Sequence, residues 1–546
     1  MASLPLSFCL LPDFFTKPPH SPPRQSSVSC NAKDGGKLDR RNLLIGIGGF
    51  YGGANLVSSP SLAAPISAPD LSKCTTGTDL NTNQPLDVNC CPPPSEKITD
   101  YKMPPVTTLR FRPAAHLASK EYIAKYEKAV ELMKALPDDD PRNFIQQANV
   151  HCAYCNLTYP QTGDSALKLQ VHNSWLFYPW HRWYLYFYER ILGKLIDDPT
   201  FGLPFWNWDN PDGMVILEMF VKNGSPLSDA RRNPAHLPPV VADLNYSAQN
   251  SSDPSPDPSQ IIRNNLNEMY LEMVRNAVKL EDFYGAKYVI GTEPDPGAGT
   301  RGSHTALHVW VGEPTTTGED MGNFYSAGRD SIFFSHHANI DRLWSVWRGL
   351  RGEKPKEFTE PDWLNANFLF YDENKNLVRV KVKDTLENEK MGYTFQKVHN
   401  PWLTKRPIAR TKKSKVATTS PLPSVAETVI PVKLDKVVKV LVDRPKKSRS
   451  KQDKEKEEEL LVIEGIEVDT AKFPEELLDK AEYAGCYSQV PHKNSTKVKS
   501  RIRLALTELL EDLEVEDDDK ILVSLVPKAG GEDISIGGIK IIYASE

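Results

Sequence analysis

Residues 331–350, SIFFSHHANIDRLWSVWRGL, decide the fold class of this chain. Their apolar residues recur at helical spacing, which predicts one long buried helix with two adjacent histidines inside it. The same spacing recurs in four other segments, at residues 117–136, 143–155, 180–196 and 261–278. The body of the chain, residues 64–404, is therefore predicted to be mainly α-helical.

The pattern changes after a linker at residues 405–425, which is basic at first and then rich in Thr, Ser and Pro. Residues 426–546 contain short β-like runs at 436–442, 460–468, 521–526 and 536–543. This unit is predicted to be a small all-β sandwich. We expect the charged run between Arg444 and Glu459 to be a solvated loop, or else an exposed site for proteolytic removal of the domain.

Residues 1–63 have the features of a targeting segment. The first part is rich in Ser and Pro, poor in acids and without a regular apolar period, as in a plastid transit peptide, so no folded element is expected there. Arg40 and Arg41 then precede an apolar, glycine-rich run at 43–57, as in a twin-arginine translocation signal. That run is shorter than the roughly 20 residues of a spanning helix. We expect the plastid twin-arginine machinery to deliver a mature chain that starts near Ala64, without a stable membrane span, to the chloroplast thylakoid lumen.

Composition limits the classes of partner. The chain has 546 residues, of which 40% are hydrophobic and 25% charged, so it can form two folded units. Its formal charge of -5 is small for this length and gives no electrostatic reason to expect binding to nucleic acid or to an anionic membrane surface. Function must be sought in local groups of residues.

Most of the twelve histidines fall into two windows. The first contains His151, His172 and His181, and the second contains His304, His308, His336 and His337. His304 and His308 are four residues apart, which places both imidazoles on one helical face. One histidine on an apolar face is usually an ordinary core residue, but seven in this layout, among Trp and Phe, are not explained by packing alone. They predict a binuclear metal site inside a four-helix bundle.

The ligand type indicates the metal. Imidazole triads without a nearby acid suit copper or zinc, whereas iron and manganese sites usually recruit carboxylates. Zinc hydrolases commonly add an acid, and no Glu lies between His304 and His308. Two copper ions that activate O2 are therefore favoured, and a zinc hydrolase is the more distant alternative.

Several motifs resemble those of plant polyphenol oxidases, the tyrosinase and catechol oxidase group of type-3 copper proteins. Residues 151–155 (HCAYC) and 172–183 (HNSWLFYPWHRW) are similar to the first copper site of that family. Residues 304–308 (HTALH) and 333–342 (FFSHHANIDR) are similar to the second. The resemblance covers nearly the full length and includes DWL at 362–364.

The resemblance implies a set of site residues. One copper would be bound by His151, His172 and His181, and the other by His304, His308 and His337, with His336 as the alternative to His337. Phe324 then has the spacing of the family's gate phenylalanine above a copper.

Cysteines receive roles in the same way. After removal of the targeting segment, Cys74, Cys90, Cys91 and Cys152 form an even set whose connectivity the residues alone leave open. The resemblance implies the disulfides Cys74–Cys91 and Cys90–Cys152, and a thioether between Cys155 and His172.

The resemblance also implies an activity, the oxidation of o-diphenols to o-quinones with reduction of O2 to water, in a pocket that the C-terminal domain shields until it is displaced or cleaved. Many members have a Glu four residues before the first histidine of the second site, where this chain has Thr300. Thr305 follows His304, where hydroxylating members often have Asn. Because hydroxylation of a monophenol needs a base, both differences predict diphenolase activity well above monophenolase activity.

Three further points remain open at this level. The family's Lys-Phe-Asp-Val segment is missing between Val468 and Ala481, which argues against shielding of the site by this domain. An aurone-synthase-like enzyme that oxidises a chalcone is compatible with Thr305. A protein of another class, an O2 carrier similar to haemocyanin, would use the same copper chemistry with a pocket closed to phenols.

Overall fold

The computed structural model describes most of the chain beyond residue 65. The described residues are 6–13, 66–76, 78–79, 84–85, 88–95, 97–162, 164–246, 257–288, 295–315, 318–352, 357–407, 423–425, 428, 430–468, 484–489, 499–529 and 534–545. The twin-arginine pair, the mature start near Ala64, most of the linker and the segment after Val468 lie outside these residues.

Helices dominate the first unit, as predicted. They are α1 Lys120–Lys134, α2 Phe144–Cys155, α3 Phe177–Leu195, α4 Glu218–Val221, α5 Pro258–Tyr270, α6 Leu280–Tyr284, α7 Ala298–Arg301, α8 Ser303–Val311, α9 Ile332–Leu350 and α10 Pro361–Leu364, with α11 Lys451–Lys456 and α12 Thr507–Asp512 in the second unit. A π-helical turn, Leu271–Arg275, continues α5. Short 3-10 turns cover Leu71–Lys73, Ala115–Leu117, Pro211–Gly213, Pro234–His236, Ala327–Arg329, Val382–Asp384 and Pro401–Thr404.

The strands are β1 Leu6–Asp13, β2 Thr78–Asp79, β3 Gln84–Pro85, β4 Ile98–Asp100, β5 Arg110–Arg112, β6 Pro160–Gln161, β7 Asp164–Lys168, β8 Asn367–Tyr371, β9 Leu377–Lys381, β10 Tyr393–Phe395, β11 Val432–Lys433, β12 Val438–Asp443, β13 Glu457–Val468, β14 Gly485–Gln489, β15 Ser500–Ala505, β16 Lys520–Ala529, β17 Ile534–Ile536 and β18 Gly538–Ser545. In the helical unit they form small sheets at the periphery, of which β4-β9-β8 is the largest described. The core of that unit lies between α2, α3, α8 and α9, with large aromatic side chains packed around the histidines.

The second unit consists of two sheets packed face to face, as the sequence predicts. One has the order β12-β16-β1-β14, and in the other β11, β17, β13 and β15 are neighbours while β18 also pairs with β13. Both sheets contribute to one apolar core, with Val440 and Val523 from the first and Leu461, Ile502 and Ile536 from the second. This is the layered packing of a sandwich.

One expectation was wrong in this region, and a second was only partly right. Leu6–Asp13 was expected to form no element, but it pairs with both β14 and β16. An open sheet edge offers backbone hydrogen bonds to any extended segment, whatever its apolar period. The charged run is also not simply a solvated loop, because it contains α11 and because Arg444 is buried and paired with Glu459 at 2.7 Å. Its long side chain reaches a buried partner that sequence spacing does not reveal.

Among the described residues, none of the helices has both the length and the apolar character needed to cross a membrane.

A buried ionic network holds the helices of the bundle in place. Asp341 on α9 accepts hydrogen bonds from Arg182 on α3 at 2.5 Å, from Arg112 at 2.8 Å and from the Tyr393 hydroxyl at 2.6 Å. Arg112 also donates to Glu189 on α3 at 2.6 Å. Buried charges are tolerated only when they are paired and hydrogen-bonded. The network therefore fixes α9 relative to α3, the two long helices that contribute histidines.

Replacement of Asp341 by Ala is expected to destabilise the protein by about 3–5 kcal/mol, because it leaves the buried Arg182 guanidinium without its counter-charge and leaves Arg112 with Glu189 alone. Chemical denaturation followed by circular dichroism measures the change. Glu131→Ala is the matched control, since the Glu131–Lys128 pair is exposed and should contribute less than about 1 kcal/mol. Equal losses in both variants would contradict a structural role for the network.

Candidate dicopper site

The first group of histidines comes from α2, α3 and the segment between them. His151 lies on α2, whose N-terminus is capped by Asn143, and His181 lies one turn inside α3. His172 precedes α3. Together with Cys155, these three histidines place one ligand atom each within 4.8 Å of one another, and all four residues are buried.

The second group comes from α8 and α9. His304 and His308 are one turn apart on α8 with ring centroids 4.7 Å apart. His336 and His337 are adjacent on α9, and the ligand atoms of all four histidines lie within 4.8 Å of one another. The structure therefore brings together every histidine that the sequence analysis singled out.

The two groups face each other. The His181 and His337 rings stack at 4.4 Å with an angle of 11° between their planes. His172 and His304 make a second contact at 6.1 Å. This arrangement forms one site with two adjacent metal positions, not two separate sites.

Hydrogen bonds orient most of these imidazoles. The Nδ1 acceptors are Phe324 O for His151 (3.0 Å), Gln170 Oε1 for His172 (3.0 Å), Phe177 O for His181 (2.8 Å), Thr300 O for His304 (3.3 Å) and Met321 O for His308 (2.8 Å). A carbonyl oxygen can only accept, so in each case Nδ1 carries the proton. The Nε2 lone pair is left for a metal, as in most histidine sites.

The free nitrogens fit a metal site. Nε2 of His151, His181 and His304 is buried without a hydrogen-bond partner, and the Nε2 atoms of His308 and His337 face each other at 3.1 Å. Burial lowers the pKa of His181 to about 3 and that of His308 to about 4. The imidazoles are therefore neutral at physiological pH, which is the form that binds copper.

His336 and His337 differ in their surroundings. The His337 ring lies between His181 and Phe333, at 4.4 and 4.2 Å, and points Nε2 at His308. The His336 ring stacks on His304 at 5.4 Å and packs against Trp208 on its other side. Both nitrogens of His336 are also buried without a hydrogen-bond partner, so the choice of His337 as the ligand stays a prediction.

Aromatic side chains enclose the site. Phe177 contacts His181 at 4.4 Å and His304 at 4.9 Å, and Phe333 contacts His151 at 4.8 Å. The Phe324 ring lies 4.6 Å from His172, on the side of the first group. These side chains exclude water and offer flat apolar surfaces to an aromatic ligand.

The hydroxyl groups of Thr300 and Thr305 are engaged by backbone carbonyls, which argues against a role in proton transfer. Thr300 Oγ1 donates to Gly297 O at 3.1 Å, and Thr305 Oγ1 is 3.3 Å from Thr300 O. Sequence reasoning missed a carboxylate that does reach this region, Glu272, which contacts Ser303 at the start of α8. No local signal in the sequence could have identified this contact, because Glu272 and Ser303 are 31 residues apart.

The cysteines are arranged around α2. Cys74 is joined to Cys91, and Cys90 to Cys152, which ties residues 74–91 to the helix that carries His151. Cys155 is buried and unbridged, with its sulfur beside the first histidine group.

Single replacements distinguish the two adjacent histidines. His337→Ala is expected to reduce the copper content from two ions to one per chain, because it removes a ligand atom that faces His308. His336→Ala is the matched control and should retain both. Atomic absorption on purified, copper-loaded protein measures the ratio, and the opposite pattern would assign His336 as the ligand.

Comparisons with known proteins agree with this geometry. The chain is 51% identical to polyphenol oxidase II, chloroplastic, of Ipomoea batatas, over 95% of this chain and 92% of the relative. A solved latent aurone synthase (polyphenol oxidase) superposes with a TM-score of 0.83 at 42% identity, covering 88% of this chain and 99% of the other. The latent apple tyrosinase gives 0.76 at 49% identity, with 82% and 100% covered.

Three family descriptions match successive parts of the chain. Residues 141–350 match the common central domain of tyrosinase, and residues 357–408 match the polyphenol oxidase middle domain. Residues 430–543 match the chloroplastic polyphenol oxidase C-terminal domain, although the Lys-Phe-Asp-Val segment is missing. Relatives from several plants are named chloroplastic, which supports a plastid location. The chain belongs to the plant polyphenol oxidase family, the type-3 copper oxidoreductases with a tyrosinase domain and a dicopper centre.

Proposed function

We propose that this chain is a catechol oxidase, which converts two o-diphenols to o-quinones for each O2 reduced to two waters, with weak or no hydroxylation of monophenols. The observation that carries the proposal is the pair of neutral histidine groups, together with a threonine where a base is expected. When bound, the copper ions supply the site for O2 and accept the electrons of the diphenol. The proposed ligands are His151, His172 and His181 for one copper and His304, His308 and His337 for the other.

The protein's own residues would orient the substrate. Phe324 and Phe177 form the apolar surface beside the imidazoles, and a phenol ring fits such a surface by stacked or edge contacts. Thr305, next to His304, would shape the pocket wall. Productive orientation of the ring, with its two hydroxyls toward the histidines, is what these contacts would contribute to the rate.

The expected weakness toward monophenols rests on Thr300, which occupies the position where many relatives have a glutamate. The Thr300 hydroxyl is bound to Gly297 O, and a threonine hydroxyl is too weak a base to deprotonate a phenol. An o-diphenol needs no new oxygen atom, so its oxidation makes a smaller demand on such a base.

A chalcone-oxidising, aurone-synthase-like activity is the second candidate. The similarity to a latent aurone synthase over 88% of this chain favours its inclusion in a substrate panel.

Latency until the C-terminal domain is displaced is part of the proposal. The sandwich packs on the elements that carry the second histidine group, since β14 contacts α7 and α8. Arg503 of the sandwich donates to Asp295 at 3.1 Å and to Glu281 at 2.7 Å, and Arg275 donates to Glu508 at 2.8 Å. These contacts support a domain that remains docked until it is cut or loosened.

The finer location and domain limits are also proposals. They comprise delivery to the thylakoid lumen by the twin-arginine route, a targeting segment at 1–63, a catalytic domain at 64–404, a linker at 405–425 and a shielding domain at 426–546. The Cys155–His172 thioether belongs with them, and its support is the position of the Cys155 sulfur beside the first histidine group.

A substrate panel tests the proposed specificity. Activated, copper-loaded enzyme is expected to oxidise dopamine with a kcat/KM at least about tenfold above that for tyramine, corresponding to about 1.4 kcal/mol in the barrier. Oxygen consumption measures both rates, and a chalcone is included in the panel. Equal rates for dopamine and tyramine would sink the diphenolase preference, and no turnover of any phenol would favour an O2 carrier.

Loosening the domain contact tests latency. Arg503→Glu places a negative charge among buried acids and is expected to raise the diphenol activity of the uncut chain at least about tenfold, because breaking a buried ion pair costs several kcal/mol. Lys520→Glu, at an exposed pair on the sandwich, is the control and should leave activity unchanged. If the uncut Arg503→Glu chain and the wild type have equal activity, the sandwich does not restrain this enzyme through these contacts.

A further inference from the structure

The N-terminus of α8 is capped by a residue from another helix. Helix α8 has nine residues and begins directly after Gly302, which has no side chain to accept hydrogen bonds from the first N–H groups. Glu272 accepts instead, because Ser303 N–H donates to its Oε1 at 2.7 Å and Ser303 Oγ–H donates to its Oε2 at 2.5 Å. A carboxylate at this end of a helix also interacts favourably with the helix dipole.

Gly302 makes this approach possible. A Cβ atom at position 302 would lie 1.9 Å from Glu272 Oε1, much closer than any real contact. Space for the carboxylate therefore requires a residue without a side chain next to Ser303.

Glu272 is a buried carboxylate with a buried guanidinium group nearby. It lies in the π-helical turn Leu271–Arg275 and is buried, as is Arg301 at the end of α7. Burial lowers the pKa of Arg301, while Asp295 and Glu272 act in the opposite direction. A buried carboxylate needs a nearby cation, and Arg301 lies close enough to Glu272 for their charges to interact.

His304 is the imidazole that depends most on this helix start. Its Nδ1 lies 3.3 Å from Thr300 O, whereas the other four oriented imidazoles have acceptors at 2.8–3.0 Å. His304 follows Ser303 directly, so movement of the first turn of α8 moves its ring. The same helix carries His308 one turn later.

We propose that Glu272 is a positioning residue for the second copper, which fixes the first turn of α8 and thereby the Nε2 of His304. The proposal rests on the assignment of His304 as a copper ligand. Because both carboxylate oxygens are engaged by Ser303, Glu272 acts through the helix and not as a proton acceptor for the substrate. This separates it from the acid that many relatives have at the position of Thr300.

Copper binding to the apo-protein tests the proposal. Glu272→Ala is expected to weaken the second copper by about 10–100-fold, the usual effect of removing a residue that orients a metal ligand. Glu272→Gln, whose amide oxygen can still accept one Ser303 bond, should recover most of the affinity. Asp282→Asn is the matched control, because Asp282 is a buried acid of the same region that faces Arg503 instead of α8. It should bind both ions as the wild type does.

Two readouts separate positioning from general stability. Competition with a Cu(I) chelator gives the affinity of each site, and X-ray absorption gives the number of imidazole ligands per copper. Glu272→Ala should show fewer imidazoles at the second copper, whereas a change in Tm alone would not alter this number. Because the readout is copper binding, a wild-type enzyme without diphenol turnover would contradict the proposed function alone.

Several results would overturn the proposal. These are wild-type copper affinity and imidazole number in Glu272→Ala, or an equal loss in Asp282→Asn. If Glu272→Ala does not fold, Ser303→Ala decides, since it removes the hydroxyl bond to Glu272 Oε2. A severalfold weaker second copper in Ser303→Ala supports the proposal, and wild-type affinity refutes it.

Discussion

The structure depends on one constraint, the burial of seven uncharged imidazoles in an aromatic core. Each ring has two polar nitrogens, and packing against apolar side chains gives neither of them a hydrogen-bond partner. Carbonyl oxygens accept hydrogen bonds from the Nδ1–H groups of five rings, so that the remaining nitrogens converge on the space between the two groups. Bound metal ions would coordinate these nitrogens. Without metal, the buried nitrogens that lack a partner lower the stability of the fold. The buried ionic network around Asp341 offsets this cost, because it fixes α3 relative to α9 and keeps the rings from turning toward other partners.

Much of this was predictable from local patterns. The helical periodicity of residues 331–350 gave α9 almost to the residue, and the spacing of His304 and His308 placed both on one face of α8. Motif resemblance then supplied the ligand groups, because short motifs are sufficient where chemistry requires fixed residue types. The β-like runs similarly located four main strands of the sandwich.

Long-range partners were not predictable. Glu272 is 31 residues from Ser303, and nothing in the spacing of single acids shows which backbone N–H they will meet. Arg444 was assigned to a solvated loop because its neighbours in sequence are charged, yet its partner Glu459 lies on β13 inside the sandwich. The pairing of β1 depends on the backbone edges that β16 and β14 present on either side of it, a property of the assembled sheet and not of residues 6–13. Such contacts depend on the topology of the fold, and neither charge pattern nor periodicity in the sequence predicts that topology.

The contact of Arg503 with the catalytic domain has a consequence for the released enzyme. While the sandwich is docked, its guanidinium offsets Asp295 and Glu281, and Arg301 donates to the Arg503 carbonyl at 2.7 Å. After release, Asp295 and Glu281 lose this cation while Arg275 loses Glu508 and Asp512, so the uncovered face presents charges of both signs. Exposed charges are screened beyond about 8 Å at physiological ionic strength. A cut sandwich that has moved away would therefore no longer be drawn back by these pairs.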